Sequence, residues 1–282
     1  MYSARFSAFT TPCEIQITVN TQKEGDEILS FLLPKIEHLQ RAYSFYEPTS
    51  QLYAINHRTC DSLTLSKELS TILTLARFYT NITQGAFDIA LAGTLKQAYQ
   101  APTLDEYHAC HAALSPYASS SSFTVEGTTL HFSNPYTKLD LGGIVKEYAV
   151  DQTITWLQKL GINAALVNFG GDIAAYGMCE KERWRIGIQD PKNPDINITS
   201  VELNDASLCT SGHSKRCSCI EAQPFSHIIV PSLTSVSPIF QQISIIAPTT
   251  VDAGIWSTAL LVNPLLNVPE HIFKVSEILI ER

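Results

Sequence analysis

The residues best suited to chemistry in this chain lie at two glycine turns. Asp140 and Lys146 flank the turn Gly142–Gly143, and Asp172 directly follows the turn Gly170–Gly171. Glycines let the backbone come close to a ligand, and the free N–H groups at the start of a helix favour anions such as phosphate. Either turn alone could be a tight turn with solvated charges. The two together at this spacing favour an anion-binding site.

Four further polar side chains extend this set: Asp88, His227, Asp252 and Thr258. The two aspartates and the histidine each have an ordinary structural alternative, because carboxylates beside turns and helix starts often act as caps and a single histidine is often a core residue. Their co-occurrence with the glycine turns nevertheless suits a phosphorylated ligand held with a divalent cation. Hard cations prefer carboxylate, hydroxyl and backbone oxygen ligands.

The elements that position these residues follow from the apolar spacing. An extended run at 136–141 is predicted as a strand before the first turn, and apolar positions three or four apart from Val145 to Leu160 predict a helix that ends at Gly161. A strand at 164–167 precedes the second turn. Other predicted strands are 14–19, 184–188, 226–231 and 243–247, with a hairpin at 123–132 and helices at 24–42 and 66–80. The region 248–261 is predicted to lead from a polar turn into a buried helix.

Helices and strands thus mix without strict alternation, which predicts an α+β fold. The chain has 282 residues, of which 45% are apolar and 16% charged, and it contains no repeat or low-complexity run. This length can form one large domain or two close subdomains. We therefore expect a single domain over 1–282.

Charge and hydropathy exclude two classes of protein. The formal charge of −8 argues against nucleic acid as a main partner, since binding phosphate backbones requires a basic surface. No apolar stretch reaches the roughly 20 residues of a membrane span, and the N-terminus shows no secretory signal, although a removed leader is left open. We expect a soluble, cytoplasmic protein.

The seven cysteines have scattered spacings that do not form a secreted disulfide framework. One group, Cys209, His213, Cys217 and Cys219, could offer thiolate and imidazole ligands to zinc. Its Cys-x-Cys spacing is tighter than that of ordinary zinc sites. Reduced thiols are the expectation.

The order of the motifs resembles one known family, the FAD:protein FMN transferases or ApbE family. The resemblance runs from about Ala8 to Val262. The matching segments are 46–56, 85–88, 139–151, 165–177, 210–212, 227–229 and 247–259. It implies an ApbE-like flavin transferase fold with mixed sheets and packed helices around a central FAD cleft. It also implies a Mg²⁺-dependent reaction that moves FMN from FAD to a Ser or Thr hydroxyl of an acceptor protein and releases AMP.

The resemblance assigns roles to individual residues of this chain. The implied FAD contacts are Tyr46, Ala86, Phe87, Asp88, Asp140, Lys146 and Ile228. His227 is implied as the acid–base residue near the acceptor. Gly143, through its backbone, and Thr258 match positions that face the metal, and Asp252 is the candidate carboxylate for the ion.

Two residues depart from the family pattern, and the first of them concerns the metal. Gly254 stands where the family has a metal-binding aspartate, and Asp252 lies two residues earlier. Glu147 stands where glycine is usual, which would crowd the first turn of the helix. Because Gly254 replaces the metal aspartate, an alternative function is an FAD-binding protein, or an FAD pyrophosphatase, that has lost transfer. The sequence names neither the acceptor protein nor the oligomeric state.

Overall fold

A computed structural model describes residues 1–213, 217–221, 223–226, 228–229 and 239–279. The helices are α1 Gln22–Ala42, α2 Gln51–Asn56, α3 Lys67–Ile82, α4 Ile89–Leu95, α5 Leu104–Leu114, α6 Val145–Lys159 and α7 Thr250–Val262. The strands are β1 Tyr2–Ala8, β2 Thr11–Ile17, β3 Ser62–Thr64, β4 Phe123–Glu126, β5 Thr129–Phe132, β6 Ala165–Phe169, β7 Asp172–Tyr176, β8 Trp184–Gln189, β9 Asn197–Leu203, β10 Ala206–Gly212, β11 Cys217–Ile220, β12 Gln223–Ser226, β13 Phe240–Ala247 and β14 Phe273–Leu279. This mixture confirms the predicted α+β class.

A seven-stranded sheet forms the framework, with the strand order β1-β2-β6-β7-β10-β13-β14. The neighbouring strands run antiparallel, and β6 and β7 form a hairpin through Gly170–Gly171. Both glycines have positive φ angles, 65° and 98°, which residues with a side chain rarely adopt. The second glycine turn of the sequence is therefore the hairpin that places Asp172 at the start of β7.

Helices α6 and α7 pack on this sheet and on each other. The α6 helix contacts β6 and β7, whereas α7 contacts β10 and β13. The sequence of α7 is apolar on most sides, and Trp256 in its middle is almost fully buried. The first turn of α6 thus faces a helix that lies in the core.

Several predicted elements are confirmed. Helix α6 ends in front of Gly161, whose φ of +79° is the left-handed conformation that commonly follows a helix. The helices predicted at 24–42 and 66–80 form as α1 and α3, and the hairpin predicted at 123–132 forms as β4 and β5. Among the described residues, none of the helices combines the length and apolarity that crossing a membrane would require.

Two strand predictions were wrong. Residues 136–141 join none of the sheets that the described residues form. Their backbone groups bond to side chains, such as the hydroxyl of Thr94 at Lys138, or to the Ile89 carbonyl, which accepts from the N–H of Asp140. The predicted strand at 226–231 also fails, since β12 ends at Ser226 and Ile228 and Ile229 lie outside strands. His227, Val230 and Pro231 lie outside the described residues.

Candidate functional site

Lys96 joins Asp140 to the aromatic loop that contains Tyr46. Its Nζ atom donates to Asp140 Oδ2 at 2.7 Å and lies 4.8 Å from the ring centroids of Phe45 and of Tyr46. Burial by itself lowers the pKa of Lys96, but Asp140 and Tyr46 together outweigh that effect and raise the pKa above its ordinary value. Tyr46 remains 65% exposed. Two residues that the resemblance assigns to FAD therefore share one lysine.

The first glycine turn is held by contacts with distant residues. The main chain of Leu139 makes two hydrogen bonds with the side chain of Asn56, and Asp140 Oδ1 accepts from the N–H of Gly142 at 2.9 Å. A Cβ atom on Gly143 would lie 3.2 Å from the Phe87 ring. The absence of a side chain at Gly143 therefore lets the buried ring of Phe87 lie against the backbone of the turn.

Asp88 is engaged by the protein itself. Its Oδ1 atom accepts from the N–H groups of Ala90 and Leu91, at 2.8 and 3.1 Å, as the N-cap of α4. Ser120 donates to both carboxylate oxygens, at 2.6 and 2.9 Å. These bonds give Asp88 a structural function beside Phe87 and the half-buried Ala86. Its contact with FAD stays a prediction.

A buried charge cluster lies at the start of α6. Lys146 Nζ forms an ion pair with Asp172 on β7 and lies 3.4 Å from Glu147 Oε1. The Glu147 side chain is 9% exposed, and its Oε2 atom is buried without a hydrogen-bond partner among the described residues. The cation that flanks the first turn is thus fixed by the acid that follows the second turn.

Helix α7 presents a glycine to that cluster. A Cβ atom on Gly254 would lie 2.5 Å from Glu147 Cγ and 3.3 Å from its Oε1 atom, so Glu147 fills the space beside Gly254. One turn later, Thr258 Oγ1 lies 3.0 Å from Ser211 Oγ, which is also 2.7 Å from Ser257 Oγ. Because positions four apart share one face of a helix, Thr258 lies on the side that meets Glu147.

Asp252 points to different neighbours. Its Oδ1 atom accepts from the Tyr79 hydroxyl at 2.5 Å, and its Oδ2 atom accepts from Thr249 at 2.8 Å. Burial and this carboxylate raise the pKa of Tyr79, which keeps the phenol protonated. Asp252 and Thr258 are about 120° apart around the helix axis. The structure therefore does not bring them together, and a shared ion stays a prediction that these contacts do not support.

The start of α7 is capped by Asp151 of α6. The two carboxylate oxygens accept from the N–H groups of Thr250 and Val251, at 2.8 and 3.0 Å. Burial raises the pKa of Asp151 to about 6 despite these donors. Asp151, the last residue of the family-like segment 139–151, thereby links α6 to α7. The sequence alone did not assign it this function.

The remaining candidates are only partly placed. Ile228 is partly buried against the main core, and its N–H donates to Ser226 Oγ at 3.1 Å. His227, the candidate acid–base residue, lies outside the described residues. Of the alternative zinc group, the side chain of Cys217 lies outside the described residues, and the side chains that are described include no group of three or more metal-binding residues. Cys209 is buried, and burial raises the pKa of its thiol well above the ordinary value.

Sequence reasoning missed three residues: Lys96, Asn56 and Glu147 as a neighbour of Gly254. No local signal could have identified Lys96 or Asn56, since their partners lie 44 and 83 positions away. The unusual residue types at positions 147 and 254 were visible in the sequence. Their contact was not, because it depends on how α6 and α7 pack.

Comparison with known proteins gives one consistent result. Residues 9–276 match the ApbE family. The FAD:protein FMN transferase of Salmonella typhimurium is 25% identical over 261 residues, which cover 88% of this chain and 71% of that protein. The protein of the same name from Rhodobacter capsulatus is 27% identical over 237 residues, or 81% of this chain, and this chain spans only 45% of its length.

Solved structures show the same fold. The crystal structure of the ApbE protein from Thermotoga maritima superposes with a TM-score of 0.81 at 24% identity and covers 93% of this chain and 86% of that one. The apo flavinyl transferase ApbE of Pseudomonas stutzeri gives 0.79 at 20% identity, over 93% and 84% of the two chains. The expected ApbE-like fold is thus confirmed.

Proposed function

Since the chain belongs to the ApbE family, we propose that it transfers FMN from FAD to a Ser or Thr hydroxyl of an acceptor protein and releases AMP. One observation of the structure carries the proposal. The Lys96 ion pair joins Asp140, next to the Gly142–Gly143 turn, to the exposed ring of Tyr46. An aromatic face beside an anion-binding turn suits a flavin dinucleotide, which has a planar ring and a pyrophosphate.

The chain's own residues would bind and orient this substrate. Tyr46 offers its exposed ring, and Phe87 supports the backbone of Gly143 from behind. Lys146 lies at the start of α6, where the helix N-terminus favours phosphate, and its charge is paired with Asp172 and Glu147. Ala86, Asp88, Asp140 and Ile228 complete the proposed FAD contacts. Holding the reacting groups in one geometry is a large part of catalysis in phosphoryl transfer.

The residues present also fit Mg²⁺. The oxygens available are Oε2 of Glu147, which is buried and has no hydrogen-bond partner among the described residues, and the hydroxyl of Thr258. The family resemblance adds a backbone oxygen near Gly143. Mg²⁺ is commonly held by one or two carboxylates plus substrate phosphates, so a dense protein cluster is not required. When bound, the ion would neutralise charge on the pyrophosphate.

The transfer step needs a proton acceptor. The acceptor hydroxyl oxygen would bond to the FMN phosphorus as the bond from that phosphorus to the AMP phosphate breaks, and AMP would leave. We propose that His227 takes the hydroxyl proton in this step. This assignment rests on the family resemblance of the His227–Ile229 segment.

Protein labelling tests the proposal directly. The full chain would be incubated with FAD, MgCl₂ and candidate acceptor proteins, and SDS gels would be examined for flavin fluorescence. A fluorescent acceptor band together with AMP supports transfer, and EDTA should abolish both. The absence of a band with several acceptors would count heavily against it.

A second candidate function is favoured by Gly254, which leaves this position of α7 without the carboxylate that the resemblance predicts. The chain would then bind FAD, or hydrolyse it to free FMN and AMP, without transfer to protein. Chromatography of the products separates these cases. An absorption spectrum of the purified protein with and without EDTA reports whether flavin binding depends on metal.

A further inference from the structure

The side chain of Glu147 fills the space that a side chain at position 254 would need. A side chain of any size at position 254 would begin 2.5 Å from Glu147 Cγ, which is closer than real Cβ contacts allow. Gly254 is itself buried within α7, so the helix cannot move aside freely. In the conformation seen, the glutamate at the start of α6 leaves room only for a glycine at position 254.

The same contact brings a carboxylate to the surface of α7. The Cδ and Oε1 atoms of Glu147 both lie 3.3 Å from the place that a Cβ atom on Gly254 would take. A carboxylate reaching from α6 thus stands where a short acidic side chain on α7 would begin. The two departures from the family pattern, at positions 147 and 254, are therefore related: the carboxylate that is missing from α7 is present on the facing helix α6.

The charges around Glu147 favour a cation. Lys146 is the ion-pair partner of both Glu147 and Asp172 among the described residues, so these three side chains carry one negative charge in excess. All three are at most 17% exposed. A buried excess charge is strongly unfavourable unless another group compensates it. The Oε2 atom of Glu147, buried without a hydrogen-bond partner in the described structure, is the atom free to bind that group.

We propose that Glu147 supplies, from α6, the carboxylate ligand of the divalent cation in place of a carboxylate on α7. This assignment rests on the proposed function for the identity of the ion. Thr258, on the face of α7 that meets Glu147, adds a hydroxyl oxygen. Substrate phosphates and water would complete the coordination, as is common for Mg²⁺.

Mn²⁺ binding to the full chain, without flavin or acceptor, tests this assignment. Electron paramagnetic resonance measures free Mn²⁺, and the midpoint of thermal unfolding with and without Mn²⁺ gives a second readout. Glu147→Gln keeps the shape of the side chain but removes its charge. It should weaken Mn²⁺ binding by on the order of tenfold or more and reduce the Mn²⁺-dependent rise of the midpoint.

A paired exchange provides the matched control. Gly254→Asp alone should lower the unfolding midpoint, because its side chain meets Glu147. Combining it with Glu147→Gly should restore the midpoint and return Mn²⁺ affinity to near the wild-type value. The pair also keeps the test valid if Glu147→Gln folds poorly.

Three results would overturn the assignment. They are an absence of Mn²⁺ binding by the wild-type chain, unchanged affinity in Glu147→Gln, and a loss that appears in Asp252→Asn instead. The test is independent of catalysis. A wild-type chain that binds Mn²⁺ through Glu147 but labels no acceptor would refute the proposed transfer and leave the metal ligand in place.

Discussion

Asn56 holds the main chain of Leu139 with two hydrogen bonds of 2.8 Å, one in each direction. The amide donates through Nδ2 to the Leu139 carbonyl and accepts through Oδ1 from the Leu139 N–H. Both residues are buried, and no strand in the described part of the chain pairs with this segment. A side chain of α2 thus replaces a strand partner and fixes the backbone directly before Asp140.

Asn56→Asp should therefore destabilise the fold strongly. The carboxylate can still accept from the N–H, but it faces the carbonyl oxygen without a proton to donate. We expect a loss of about 3 kcal/mol in the free energy of unfolding, measured by urea titration. Asn193→Asp is the control, because that exposed side chain accepts a hydrogen bond through its oxygen alone. Equal effects of the two changes would contradict the prediction.

Lys96→Met should weaken FAD binding. The change keeps the length of the side chain but removes the charge that pairs with Asp140 and lies over Tyr46. Since charge-assisted hydrogen bonds are the stronger ones, we expect the Kd for FAD to rise by about tenfold in a fluorescence titration. Lys96→Arg, which retains the charge, should bind FAD more tightly than Lys96→Met. An unchanged Kd would show that Lys96 does not organise the site.

Asp151 should make stability depend on pH in an unusual direction. Its pKa is raised from 3.8 to about 6 in the folded chain, so the folded state binds its proton more tightly than the unfolded state does. The contribution of Asp151 to stability is therefore full below about pH 4 and falls as pH rises to about 6, by roughly 3 kcal/mol.

Urea unfolding of wild type and Asp151→Asn at pH 4 and pH 7 isolates this effect. The wild type should lose stability relative to Asp151→Asn between the two pH values. Asp151→Ala removes both the charge and the acceptor for the α7 N–H groups, and it should be less stable than Asp151→Asn at each pH. A difference between wild type and Asp151→Asn that does not change with pH would contradict the raised pKa.

His227→Ala should lower transfer far more than FAD binding. If the imidazole takes the proton of the acceptor hydroxyl, its loss should reduce the transfer rate by about 10² to 10⁴. The rate of acceptor labelling and the Kd for FAD would be measured on the same preparation. His271→Ala, at an exposed turn before β14, should change neither value. Equal losses of rate and affinity would make His227 a ligand contact instead.

Thr258→Ala should raise the Mg²⁺ concentration needed for half-maximal AMP release. The change removes the hydroxyl that lies 3.0 Å from Ser211 Oγ on the face of α7 nearest Glu147. Thr258→Ser keeps the oxygen and should titrate like the wild type. An unchanged Mg²⁺ titration in Thr258→Ala would show that the ion lies elsewhere.

The sequence by itself determined the local elements and the family. Apolar spacing, caps and turn glycines predict α1, α3, α6 and the 123–132 hairpin, because these features depend on residues a few positions apart. The order of the motifs determined the ApbE assignment. Only residues within the motifs that match the family could be given a proposed function from the sequence.

Only the tertiary structure decided which of these residues meet. It paired Lys96 with Asp140, gave Leu139 a side-chain partner in Asn56, turned Asp252 towards Tyr79, and set Glu147 against Gly254. The physical reason is that such contacts depend on how helices pack on the sheet and on each other. Packing of that kind is set by the whole core rather than by neighbouring positions in the chain.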